Sequence, residues 1–99
     1  MTNYYASQIG TGTGLSQSSP FKISNFWTIA IPGDTLYLLD GIYTGANSMI
    51  NPPDNLHGTS TLPIIVKALN DGKVTLDGQY LYYPIMLSFN NYWIVYKYF

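Results

Sequence analysis

The apolar residues of this chain fall in short runs at period two, and each run is stopped within a few positions by Gly, Asp, Asn or Pro. Thr35-Leu36-Tyr37-Leu38-Leu39, Ile64-Ile65-Val66-Lys67-Ala68 and Val74-Thr75-Leu76 show the pattern. Successive side chains of a strand point to opposite faces, so runs of this kind build short strands with one buried face. One segment departs from it. Across residues 20–31, Ile23, Phe26, Trp27 and Ala30 sit at i, i+3, i+4 and i+7, the stripe of an amphipathic helix. Ser19 before Pro20 resembles an N-cap followed by an N1 proline, and Pro32-Gly33 ends the segment. The spacing therefore predicts one short helix among strands at 4–6, 35–39, 42–44, 63–68, 73–76, 83–89 and from 92 onward. A Gly/Ser/Thr loop over 10–19 and a long excursion over 45–61, with Pro52-Pro53 and His57, connect them.

Leu39-Asp40-Gly41-Ile42-Tyr43 is echoed by Leu76-Asp77-Gly78-Gln79-Tyr80, an offset of 37 from position 39 to position 76. Asp-Gly often joins hairpin arms. Neither corner here is followed by a neat second arm, so the echo reads as coils of a repeating structure. The last run, Tyr92-Trp93-Ile94-Val95-Tyr96-Lys97-Tyr98-Phe99, is strand-like, with no turn or cap behind it. Its backbone groups need partners. The partners are earlier strands, another copy, or the continuation of a longer polypeptide.

Charge is scarce. Charged residues make up 9% of the 99 positions, against roughly 25% in ordinary soluble chains. The cations are all Lys, the anions all Asp, and the net charge of −1 offers little repulsion between copies, which favours a homo-oligomer. No basic patch exists to displace counterions from phosphates, so no nucleic-acid partner is expected. The absence of cysteine rules out disulfides and thiolate metal sites. The apolar runs are too short to span a bilayer, so no membrane partner is expected. The first residues lack the basic and apolar regions of a signal peptide. As written the chain is expected in the cytoplasm, or outside the cell if a leader has been removed.

The candidate chemistry is sparse. Asp40 and Asp77 at equivalent corners would form an acidic pair for a cation or a sugar, and Tyr43 and Tyr80 complete that ligand set. The competing role for each Asp is to accept local hydrogen bonds in its turn. Lys67 would neutralise a sugar carboxylate or act as a base; an outward, solvated lysine is the plainer expectation. His57 has no second His and no Cys to join it in a metal site. The ten Tyr, four Phe and two Trp concentrate toward the C-terminal end. There Tyr92, Trp93, Ile94, Tyr96 and Tyr98 are the candidate interface, since Tyr and Trp are favoured at interfaces; exposed rings would also stack on sugars. No catalytic residue, metal ligand or cofactor is assigned.

Taken in order, Tyr4-Tyr5-Ala6-Ser7, Ser19-Pro20-Phe21, Pro32-Gly33-Asp34-Thr35-Leu36-Tyr37-Leu38, Gly41-Ile42-Tyr43-Thr44, Leu62-Pro63-Ile64-Ile65-Val66-Lys67-Ala68 and Val74-Thr75-Leu76-Asp77-Gly78 cover most of the chain. The series resembles the N-terminal part of right-handed parallel β-helix proteins, the pectate-lyase-like superfamily that includes alginate lyases and chondroitinase-like enzymes. The resemblance implies an all-β, short right-handed parallel β-helix (a solenoid) capped by an N-terminal helix, with a small antiparallel barrel or sandwich as the alternative. It implies a single domain over 1–99, with strand, loop and cap helix in 1–33 and coils in 34–99. The complete absence of Arg weighs against lyase activity, because bidentate Arg is the natural partner of a sugar carboxylate. The function expected is a non-enzymatic module that self-associates through its open C-terminal end. The alternatives are a carbohydrate-binding or polysaccharide-lyase-related fragment, and a truncated remnant of a longer enzyme.

Overall fold

The computed structural model describes residues 1–96 and 99. Six short strands form: β1 (Asn3–Ala6), β2 (Thr35–Leu38), β3 (Gly41–Thr44), β4 (Ile64–Ala68), β5 (Val74–Asp77) and β6 (Trp93–Val95). One helical turn, α1 (Ile23–Phe26), precedes β2, and a single 3-10 turn spans Ala46–Ser48. β1, β2, β4 and β6 make a four-stranded sheet in that order, and β3 and β5 make a second sheet of two. Every strand pairing is parallel.

Period-two burial sets the faces. In the larger sheet Leu36 and Leu38 of β2 and Ile64, Val66 and Ala68 of β4 point inward and are buried. Register places Leu36 beside Val66 and Leu38 beside Ala68. Ile23 and Phe26 of α1, Tyr43 of β3, Val74 of β5, and Met49 and Ile50 beyond the 3-10 turn close the same core. Each such side chain contributes on the order of 1.5–3 kcal/mol by leaving water. The opposite face carries a row in register, Tyr5, Tyr37 and Lys67, one residue per strand. Tyr5 and Tyr37 stack with centroids 5.5 Å apart.

Buried Asp34 holds the entry to β2. Its carboxylate accepts the Thr2 N–H at 2.9 Å and the Ile31 N–H at 3.0 Å, tying the chain's first residues to the Pro32-Gly33 turn. Gly33 adopts φ of +91°, a left-handed conformation that suits glycine.

Several expectations are corrected. The uniform β-helix is not what forms: the fold is mixed α/β, two small parallel sheets of short strands joined by helical turns and long irregular segments. The antiparallel barrel or sandwich is excluded with it, because the pairings are parallel. The strand expected over 83–89 shrinks to one bridge, Ile50 to Ile85, and Leu87 is exposed. Proline explains this. Pro84 has no N–H, and the partner segment runs into Pro52-Pro53, which cannot donate to a ladder either. The helix is also shorter and begins later than the Ser19-Pro20 signal implied. Phe21 is claimed by β1, forming a parallel bridge with Ala6, so Lys22 becomes the first cap residue and donates its N–H to Asn25 Oδ1 at 3.2 Å.

Candidate functional site

The two edges of the larger sheet are unlike. Along β1 the 10–21 loop supplies the missing partners: Tyr5 N–H donates to Gly14 O at 2.7 Å, Phe21 N–H to Tyr5 O at 3.1 Å and Ser7 N–H to Phe21 O at 2.9 Å. A similar device covers β3, where the Gln8 amide donates to Thr44 O and accepts the Thr44 N–H at 2.9 Å. At the other side β6 has β4 as its only strand neighbour among the described residues.

β6 is firmly seated. Trp93 turns inward, its ring 5.7 Å from that of Trp27 and its Nε1–H donated to Leu56 O at 2.8 Å. The approach to β6 is stitched to the 53–58 loop. Asn90 donates its amide to Pro53 O and Leu56 O, Asn91 N–H donates to His57 Nδ1 at 2.9 Å, and Gly58 N–H donates to Asn91 O at 3.0 Å. His57 is therefore a backbone acceptor in a loop. Gly58 sits where any Cβ would run into Tyr92 O.

Of the residues expected at an interface, Tyr92, Ile94 and Tyr96 are exposed on β6 or beside it, whereas Trp93 is packed. Tyr98 lies outside the described residues. Lys67 does not stand free in solvent: its Nζ lies 5.3 Å from the Tyr37 ring centre and 5.6 Å from that of Tyr96. Contacts of this kind contribute about 0.5–1 kcal/mol at exposed sites.

The expected ligand set is not brought together. β3 and β5 pair Gly41 with Val74 and Tyr43 with Leu76, a shift of 33 (41 to 74) where the sequence echo has 37. Asp40 thus precedes one end of the ladder while Asp77 pairs with Thr44 at the other. At about 3.3 Å per residue the two lie roughly 13 Å apart along the strands. Asp40 accepts from the Asn70 side-chain amide at 3.0 Å, and Asp77 accepts the Gln79 N–H at 2.9 Å within its own turn. The tyrosines part company as well. Tyr43 is 1% exposed, and its single hydroxyl proton is shared between Leu39 O at 2.7 Å and Ala6 O at 2.9 Å. Burial pushes its phenol well above the usual tyrosine range, and the nearby Asp40 charge adds in the same direction. Tyr80 is wholly exposed.

Tyr80 instead joins a groove of about 490 Å³ with Tyr82, Tyr83, Met49, Met86 and Asn51. Among the described residues no charged side chain lines it. The methionines were missed in the sequence; the tyrosine cluster at 80–83 was the visible signal. Among the described residues no three His, Asp or Glu side chains gather as a metal site, and no helix is long and apolar enough to cross a membrane. Compared with known proteins, the chain matches no family model and no curated protein.

Proposed function

We propose that this chain is a non-enzymatic binding module that associates with a second copy of itself through β6. The observation that carries the reading is the asymmetry of the edges: β1 and β3 are covered by the chain's own loop and Gln8, while β6 is seated, apolar and, among the described residues, flanked by β4 alone. An unpaired strand edge is a template for another strand. Because the β1 edge is blocked, head-to-tail stacking of copies is unavailable, and the remaining solution is a β6-to-β6 contact that closes at two chains. A two-fold contact sets like residues near like, and Trp93-Ile94-Val95 carries no charge to repel itself.

Light scattering over a concentration series tests this. The expected mass is twice the 11.1 kDa of one chain. Ile94→Asp, at a position already exposed in one copy, is expected to return the single-chain mass with the fold intact. A single-chain mass for the unaltered protein at millimolar concentration overturns the proposal.

The groove favours a second reading, a neutral-sugar site in which Tyr80, Tyr82 and Tyr83 stack on pyranose rings. A glycan array answers it, with loss of binding in Tyr82→Ala as the expected control. Silence across the array removes it.

A further inference from the structure

We infer that the two copies pair antiparallel about a two-fold axis at Ile94, with Trp93 of one strand opposite Val95 of the other. The inference rests on the self-association proposed above and fixes its register. Peptide groups of alternate residues in a strand point to opposite sides. Tyr92 O accepts the Ile64 N–H at 3.1 Å, and Tyr96 N–H donates to Val66 O at 3.0 Å. The even positions of β6 therefore face β4, and the peptide groups of Trp93 and Val95 face the open edge.

Among the described residues, an antiparallel ladder satisfies both outward positions at once when they oppose each other across the axis, each pair exchanging two hydrogen bonds. Ile94 then meets Ile94 of the second copy as the intervening pair without hydrogen bonds, where Cα atoms approach to about 4.5 Å. Side chains at such a pair lie on one face. Ile65 is the register neighbour of Ile94 on that face, so the contact joins two Ile65–Ile94 pairs into one apolar stripe. A parallel arrangement would put the two Ile94 side chains on opposite faces and lose this stripe.

The absence of native cysteine makes the test clean. A Cα separation of about 4.5 Å is within disulfide range, so Ile94→Cys is expected to form a covalent dimer under mild oxidation. Tyr92→Cys is the register control. In this pairing Tyr92 opposes Tyr96, and the two 92 positions stand about 14 Å apart, beyond disulfide reach. Cross-linking of Ile94→Cys without that of Tyr92→Cys supports the register. A dimeric mass by light scattering together with no cross-link at 94, or with a cross-link at 92, overturns the register and leaves self-association standing. A single-chain mass overturns both.

Discussion

Two buried polar side chains, Asp34 and Tyr43, do at the scale of single residues what no sequence pattern announced. Asp34 stood out in the sequence only as one member of the Pro32 to Leu38 segment; it is fully buried and spends both carboxylate oxygens on the N–H groups of Thr2 and Ile31. Asp34→Ala is expected to cost about 2–3 kcal/mol, read as a lower urea midpoint, because two backbone donors lose a charged acceptor. Tyr43 was counted as a ligand residue. Its hydroxyl instead ties β3 to the ends of β1 and β2 through Ala6 O and Leu39 O. Tyr43→Phe should cost about 1–3 kcal/mol at neutral pH. Since folding raises the Tyr43 pKa, the native state holds this proton more tightly than the unfolded chain does. Its contribution is complete below the ordinary tyrosine value of about 10 and falls as pH climbs beyond it toward the raised native value. Urea unfolding from neutral pH to about pH 11 should therefore show a shallower alkaline decline in Tyr43→Phe. Equal slopes would contradict the burial argument.

At the scale of elements, propensity and period located most strands but not their partners. β2, β4 and β5 lie within a residue or so of the runs that predicted them, because alternation of apolar side chains is local information. The 83–89 run failed on a non-local fact: the segment beside it contains Pro52-Pro53. The helix start shifted for a similar reason, Phe21 being drawn into pairing with Ala6. β6 depends on its anchors as much as on its own residues. Asn90→Ala removes the amide bonds to Pro53 and Leu56 and is expected to speed hydrogen exchange of β6 amides about tenfold while those of β2 stay protected. Trp93→Asp should unfold the chain, since it puts a charge where an indole packs on Trp27, whereas Ile94→Asp should spare the fold.

For the whole molecule, the consequential property is that the sheet's edges are not equivalent. A chain with 9% charged residues and a net charge of −1 has weak electrostatic defence against association, and in the four-stranded sheet the uncovered edge is β6. With the other edge of the sheet covered, the proposed association through β6 would close at two copies and would not run on as a filament. Raising salt should leave the proposed dimer intact, because uncharged residues would make its contact; dissociation by salt in sedimentation experiments would point to a different surface.

Local alternation, turn residues and composition were enough to determine where most of the strands lie and which side of each is apolar. The register of β3 on β5 lay beyond them. A sequence echo of 37 suggested stacked Asp-Gly corners, yet pairing settled at 33 and separated Asp40 from Asp77. Register is chosen by which side chains fill a shared interior, and Tyr43 beside Leu76 fills it here. That choice depends on every neighbouring element at once, so only the tertiary structure could decide it.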